Sequence, residues 1–138
     1  YKTASFTQIL QNLSDSIICR ESIDLSSMNP QRIYAAIAQT PEATCCFNSD
    51  KMTVSGKIPL KFILIDGEGT PTFCEREAEF EYSRSVDAKG GNLHCEPSLF
   101  LTGYTCTLTN DGRAEFKAEM NISADIVETC ESRTLVSL

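Results

Sequence analysis

Residues 110–126 read NDGRAEFKAEMNISADI, and this stretch decides the fold. After the glycine, every even-numbered residue is apolar and every odd-numbered residue is polar or charged. The apolar set is Ala114, Phe116, Ala118, Met120, Ile122, Ala124 and Ile126, and the polar set is Arg113, Glu115, Lys117, Glu119, Asn121, Ser123 and Asp125. A period of two is typical of a β-strand with one buried face. A slip of one residue in pairing would expose the whole apolar set, so the pattern also constrains register.

The segment before this strand predicts its hairpin partner. Its residues Phe100, Tyr104, Cys106 and Leu108 alternate with threonines and are expected to face the core. Two even-numbered apolar sets share one face only if the loop between them has an odd length. We therefore predict a three-residue loop, Asn110-Asp111-Gly112, with the glycine in the left-handed conformation.

A second hairpin is predicted by the same pattern. Even-numbered residues are mostly apolar over Met52–Leu64 and over Thr72–Ser83, and Gly67-Glu68-Gly69 would be the loop. On the outer face, Lys57 and Lys61 would then lie near Glu79 and Glu75 and contribute about 0–1 kcal/mol each. Because proline has no N–H to donate, Pro59 is expected on an edge strand or at a bulge.

The N-terminal third carries a weaker pattern. Phe6, Ile9, Leu10 and Leu13 follow helical spacing behind a capping-box sequence, so a short helix is predicted near residues 5–14. Residues 16–25 are predicted to form a strand. The segment from Asn29-Pro30 to Gln39 suits a helix, and a strand over residues 33–47 broken near Pro41 fits equally well. Lys89-Gly90-Gly91 is expected to separate the two hairpins.

Length and charge limit the class of protein. At 138 residues the chain is expected to form a single domain over residues 1–138. Its net charge of −7 and its scattered Lys and Arg residues disfavour nucleic acid and anionic membranes as partners. The longest apolar run, Phe62–Ile65, ends at Asp66, far short of the ~18 residues that membrane insertion requires.

Seven cysteines are present, an odd number without a C-x-x-C pair: Cys19, Cys45, Cys46, Cys74, Cys95, Cys106 and Cys130. The simplest interpretation is reduced thiols in the cytoplasm, and the alternative of one or two disulfides is also compatible with the count. Cys74 and Cys106 fall in inward registers and are expected to act as small core side chains. Cys19 and Cys130 would meet only if the ends of the chain pair.

The order of these landmarks resembles the SPOCS domain, a sporulation-associated β domain of spore-forming Gram-positive bacteria. The resemblance covers about residues 21–127 and rests on these segments: Asn29–Ile33, Lys51–Ile58, Phe62–Ile65, the Asp66–Gly69 turn, Glu79–Tyr82 and Gly112–Glu119. It implies a non-enzymatic module that takes part in spore-envelope (coat) assembly through protein contacts, and it favours strand over helix for residues 33–47. This chain departs from the family pattern in having Ile65-Asp66 where an aromatic ending is expected, in its many cysteines and in its single copy.

Candidate chemistry is sparse, and we predict no catalytic residue, no cofactor and no metal site. His94 and Cys95 are adjacent, and adjacent strand residues face opposite sides, so they cannot easily form a nucleophile–base pair. The Cys45-Cys46 pair would likewise divide its thiols between two faces instead of gathering them around zinc.

The row Glu75, Glu77, Glu79 and Glu81 is the one candidate binding feature. A flat strand spreads these carboxylates, whereas calcium sites gather oxygens in a tight loop. The row is therefore either a solvated strand face that discourages aggregation or a binding strip for a basic protein.

Together these features predict a mainly β, antiparallel sandwich-like domain with a short N-terminal helix. The function we expect is that of a structural protein-interaction module whose partners are other envelope or coat proteins, in the mother-cell cytoplasm or on the spore surface. Self-association through an edge strand is a further option. The alternative hypothesis is a secreted adhesive or carbohydrate-binding β module.

Overall fold

The computed structural model describes the backbone of residues 2–87 and 91–134 and the side chains of residues 7–87 and 91–129. The chain is mainly β, as predicted, and the described residues include one 3₁₀ turn, Ser26–Met28, and no α-helix. The strands are β1 (Lys2–Asp24), β2 (Pro30–Ala38), β3 (Glu42–Asn48), β4 (Lys51–Asp66), β5 (Pro71–Ser85), β6 (Asn92–Cys95), β7 (Ser98–Leu108) and β8 (Arg113–Thr134).

These strands form two antiparallel sheets, each built on one long central strand. In the first sheet, β8 pairs with β1 on one side, and β7 and β6 follow one another along its other side. In the second sheet, β4 pairs with β5 on one side, and β2 and β3 follow one another along the other. The chain crosses from the second sheet to the first between β5 and β6.

The two sheets enclose one hydrophobic core in a sandwich-like arrangement. Both predicted alternations are confirmed, because the even-numbered side chains of β8 from Ala114 to Ile126 and most of those of β4 are buried between the sheets. Phe62 of β4 and Phe116 of β8 are both buried there. β1 contributes the odd-numbered residues Leu13, Ile17, Cys19 and Ile23 to the same core.

Both predicted hairpin loops are confirmed. Even-numbered residues pair with even-numbered residues throughout the β4–β5 hairpin, and in the β7–β8 hairpin they do so from Gly103 to the loop. Gly69 and Gly112 are left-handed, with φ of 80° and 79°, which glycine adopts without the steric cost of a Cβ. The second loop is closed by a 2.7 Å hydrogen bond that the Thr109 N–H donates to the Arg113 carbonyl.

The predicted helix at residues 5–14 is wrong, because this segment lies within β1 and pairs with β8. The pairing register shifts between Ile9 and Gln11, so Leu10 is the extra residue of a bulge. Leu10 and Leu13 both pack against the core. The bulge therefore places core residues three apart, a spacing that resembles that of a helix. The strand predicted over residues 16–25 is confirmed up to Asp24.

The prediction for Pro59 is also wrong, since it lies in the central strand β4 without a register shift. Its carbonyl accepts a 2.9 Å hydrogen bond from the Gln39 N–H, in the gap where β2 has ended and β3 has not begun. In an antiparallel strand the N–H and C=O of one residue point to the same side. The missing N–H therefore faces this gap, and no hydrogen bond to β5 is lost.

Phe100 was expected to face the core, and this prediction is wrong as well, because its side chain is 67% exposed. A register shift between Leu101 and Gly103 reverses the faces of β7. Before the shift Leu99 and Leu101 pack against the core, and the predicted even-numbered register holds only after it. Tyr104 lies 6.2 Å from the Phe116 ring, centroid to centroid, and remains 40% exposed.

The two alternatives for the segment after Asn29-Pro30 are resolved in favour of strand. β2 and β3 are separated by a break at Gln39–Pro41, close to the predicted position. Of the break predicted at Lys89-Gly90-Gly91, the first two residues lie outside the described part of the chain, and Gly91 immediately precedes β6.

Candidate binding surface

The predicted glutamate row lies on the outer face of the second sheet, along the edge strand β5. Glu75, Glu77, Glu79 and Glu81 are all exposed. The predicted cross-strand neighbours are correct in register, since Lys57 pairs with Glu79 and Lys61 pairs with Glu75. The ion pair that forms is diagonal: Lys57 Nζ lies 3.3 Å from Glu77 Oε2, and both side chains are more than half exposed. Exposed pairs of this kind contribute little to stability, so the row remains available to a partner.

A shallow depression of about 690 Å³ opens on this face beside the row. Its floor is the cross-strand row Ala43, Gly56 and Phe80. Its walls are the outward-facing residues on either side, Glu42, Thr44, Ser55, Lys57, Glu79 and Glu81. The polar and acidic walls suit a polar or basic ligand group better than an apolar one.

Gly56 is required where the two strands flank β4. A Cβ placed there would meet the Glu42 carbonyl oxygen. It would also lie 2.5 Å from Phe80 Cζ and 2.9 Å from Ala43 Cβ. The Phe80 ring therefore lies over the glycine in the space that a side chain would otherwise fill. The second sheet is closely packed beneath the depression.

At the hairpin end of the same face lies an apolar cleft of about 450 Å³. Phe73 of β5 is 72% exposed and Ile37 of β2 is 49% exposed. Ile63 of β4 pairs directly with Phe73 and lies diagonally opposite Ile37, whose own partner is Lys61. Lys61 and Glu75 also line the cleft, so it adjoins the glutamate row. Apolar side chains clustered at the surface commonly mark a contact site.

Sequence reasoning missed this cleft, although part of its signal was present. Phe73 and Ile63 occupy odd-numbered positions, the parity that the alternation assigns to the outer face, and Phe73 therefore shares its face with the glutamate row. Ile37 could not be placed in the same way, because β2 shifts register between Ile33 and Ala35.

The edges of the two sheets meet where β1 runs beside β5. The Tyr82 hydroxyl donates a 2.7 Å hydrogen bond to Asp15 Oδ2, and Arg84 Nη1 lies 3.9 Å from the same oxygen. The Tyr82 hydroxyl, the Ser16 N–H and the Arg84 charge together hold the pKa of Asp15 below its usual value. The Cys19 thiol also donates to the Glu79 carbonyl, at 3.4 Å. These contacts join the sheets, and they place the edge of β5 against β1.

His94 and Cys95 face opposite sides of β6. His94 is exposed, with Nε2 3.6 Å from Glu96 Oε1, whereas Cys95 is buried in the core. The adjacent pair is therefore not brought together as nucleophile and base.

The inward placement predicted for Cys74 and Cys106 is confirmed, because both pack against the core. Burial raises the pKa of Cys74, and it raises the pKa of Cys106 to about 11. A thiol with a raised pKa is protonated at neutral pH and is a poor nucleophile. In the backbone register Cys19 lies opposite Ala118 and Cys130 opposite Phe6, so the ends pair without aligning these two cysteines.

Among the side chains of residues 7–87 and 91–129, no three His, Cys, Asp or Glu groups are placed so that they could hold a metal ion. The same part of the chain has no helix of the length and apolar character needed to cross a membrane. No protein-family model, no curated protein and no solved structure matches this chain.

Proposed function

We propose that this chain is a non-catalytic interaction module that binds an extended segment of another protein on the outer face of the second sheet. The observation that carries the proposal is the cleft formed by Phe73, Ile37 and Ile63, which lies open on a surface continuous with the glutamate row. The cleft would take an apolar side chain of the partner, and the row would take its basic residues.

The apolar part of the contact would supply most of the affinity. Phe73 is 72% exposed, so a partner that covers its ring removes most of the surface of this residue from water. Aromatic side chains bury roughly 150–250 Å² each and are frequent among the few residues that dominate interface energies, where truncation costs about 2 kcal/mol or more.

The charged part of the contact would select the partner. Glu42, Glu75, Glu77, Glu79 and Glu81 share this face with Lys57 and Lys61, so the face carries a net negative charge. Like charges repel an acidic segment, whereas Lys and Arg residues would meet the row. Exposed charges of this kind act mainly on the association rate and its salt dependence.

The biological setting of the proposal comes from the resemblance to SPOCS domains. The partners would be other proteins of the spore envelope or coat, met in the mother-cell cytoplasm or at the spore surface. A secreted adhesive or carbohydrate-binding module is the alternative, and its ligand would be a glycan instead of a basic peptide.

The test compares two exposed phenylalanines on different sheets. Phe73→Ser removes the proposed anchor, and Phe100→Ser is the matched control because Phe100 is 67% exposed on the first sheet. The probe is a synthetic peptide of alternating Leu and Lys residues, and a Leu/Glu peptide of the same length is its counterpart. Binding is measured by calorimetry at low and high salt.

We expect the Leu/Lys peptide to bind and the Leu/Glu peptide not to bind. Phe73→Ser should weaken binding by about tenfold or more, and Phe100→Ser should leave it unchanged. Replacing the four row glutamates by Gln should weaken binding mainly at low salt. Equal effects of the two Phe substitutions, preference for the Leu/Glu peptide, binding of an oligosaccharide at the cleft, or a dimer of this chain that Phe73→Ser dissociates would each overturn the proposal.

A further inference from the structure

Two thiols from different sheets meet at the end of the core that β3 and β6 line. Cys45 of β3 pairs with Val54, and Cys95 of β6 pairs with Ile126. Directly paired strand residues point to the same face, and both Val54 and Ile126 are fully buried between the sheets. Cys45 and Cys95 therefore each point at the opposite sheet. Because β2 lies against β7, and β3 and β6 continue along the same sides of β4 and β8, the two cysteines lie at the same edge of the core.

We propose that Cys45 and Cys95 are a redox-modification site, at which a disulfide oxidant converts the two thiols into a disulfide that joins the two sheets. This inference is independent of the binding surface proposed above. The odd number of cysteines did not indicate which of them could form a disulfide, and this proposal names Cys45 and Cys95 as the pair.

The surroundings allow the two sulfurs to approach. A disulfide requires Cα atoms about 4.4–6.8 Å apart, closer than the usual ~10 Å between packed sheets. In the described part of the chain β3 pairs only with β4 and β6 only with β8, so each is an edge strand. Cys95 is moreover the last residue of β6, which has four residues. An inward movement at these two edges is opposed by pairing with only one neighbouring strand in each case.

The resting state is a pair of neutral thiols. Burial, together with the neighbouring Cys95 thiol, raises the pKa of Cys45 to about 12, and burial also raises the pKa of Cys95. Both are therefore protonated near neutral pH and pack as small core side chains. Exchange with an oxidant goes through a small thiolate fraction, so it is slow at neutral pH and becomes faster as the pH rises. Cys45 is half-buried and Cys95 is buried, so an oxidant would reach Cys45 first.

The reaction is thiol–disulfide exchange in two steps. The Cys45 thiol loses its proton, and its sulfur attacks the disulfide of the oxidant, which forms a mixed disulfide and releases one thiol of the oxidant. The Cys95 sulfur, after losing its proton, then attacks the Cys45 sulfur and releases the second thiol. One S–S bond of the oxidant breaks and the Cys45–Cys95 bond forms, and two protons and two electrons pass to the oxidant.

The experiment treats the folded full chain with oxidised glutathione, after reduction and removal of the reductant. Free thiols are then counted after unfolding, and peptides are mapped without reduction. The exposed Cys46 thiol can form a mixed disulfide with glutathione, which is identified by its mass. Apart from such adducts, we expect the seven free thiols to fall by two, with one peptide pair linked through Cys45 and Cys95. The equilibrium constant for unfolding of the oxidised chain should be about 30- to 1,000-fold lower than that of the reduced chain, because the bond constrains the unfolded state.

Two variants distinguish a specific Cys45–Cys95 disulfide from non-specific oxidation of other cysteines. Cys45→Ser should abolish the loss of two thiols, and Cys74→Ser is the matched control because Cys74 also packs half-buried against the core. In Cys74→Ser the loss of two thiols should persist. Seven free thiols after treatment of the wild type, a linkage between other cysteines, or a loss of two thiols that persists in Cys45→Ser would overturn the proposal. The peptide map of the wild type decides the matter even if a variant fails to fold.

Discussion

A single methyl group added at Gly56 tests how tightly the second sheet is packed. In Gly56→Ala the new Cβ would lie 2.5 Å from Phe80 Cζ and 2.9 Å from Ala43 Cβ, and it would also meet the Glu42 carbonyl oxygen. Distances below about 3 Å are strongly repulsive for these atoms. The Phe80 ring is buried and the carbonyl belongs to the backbone of β3, so neither can simply turn away into solvent.

Two opposing contributions set the expected magnitude. Replacing glycine by alanine at a position that accepts it stabilises a protein by about 0.4–1 kcal/mol, because the unfolded chain loses freedom. Overpacking a well-filled site costs typically about 1–3 kcal/mol. Since three neighbours must move, one of them a backbone carbonyl, the second contribution should dominate. We expect Gly56→Ala to lower the free energy of unfolding by about 1–2 kcal/mol.

Urea unfolding followed by circular dichroism measures this change, and Gly103→Ala is the matched control. Gly103 also lies in a strand, β7, but a Cβ there meets nothing within 4 Å. Its substitution should be neutral or stabilising by up to about 1 kcal/mol. If Gly56→Ala proves as stable as Gly103→Ala, the packing described around Phe80 is incorrect.

Three further predictions concern the hairpin loops, the contact between sheets and the core. Gly69→Ala should cost about 1–2 kcal/mol of left-handed strain. Gly112→Ala should cost more, because its Cβ would also lie 3.1 Å from the Cα of Ser26 in the 3₁₀ turn, and equal losses in urea unfolding would contradict this. Asp15→Asn should destabilise the protein at pH 7, and because the pKa of Asp15 is lowered on folding by the Tyr82 hydroxyl, the difference from wild type should shrink as pH falls below about 4; a difference that stays constant down to pH 2 would refute the role of the charge. Phe62→Ala should lower the free energy of unfolding by about 3–5 kcal/mol, and a loss below 1 kcal/mol would mean that this ring is not enclosed by both sheets.

The parts predicted correctly from the sequence are those in which local pattern and burial agree. In β4 and β8 the apolar side chains alternate over more than ten residues, and β5 repeats the pattern from Cys74 to Tyr82 except at Arg76. Such a pattern predicts one buried face for each strand. The loop lengths followed from matching these faces across each hairpin, and the glycines at Gly69 and Gly112 marked the left-handed residue.

The errors share one physical cause, which is that the environment of a strand depends on residues far along the chain. The bulge at Leu10 gives β1 a local spacing that resembles a helix, and its strand conformation is determined by pairing with β8. The bulge before Gly103 turns Phe100 outward. Pro59 is accommodated in a central strand because β2 and β3 leave a gap opposite it.

The candidate binding surface was likewise predictable from the sequence only in part. The parity of β5 places Phe73 and the glutamate row on one outer face, so this much was readable from the sequence. Ile37 joins them only through a register shift in β2. Cys45 and Cys95 share one edge of the core only because β3 and β6 are placed there by their pairing with β4 and β8.

The sequence by itself thus determined which residues alternate, where the two glycine turns fall and that the net charge is negative, because these properties depend on near neighbours. Only the tertiary structure decided which strands share a sheet, where bulges reverse a face and which thiols meet. Those outcomes depend on the pairing of distant segments, whose free energy is set by the whole core and is not encoded in any single stretch of the chain.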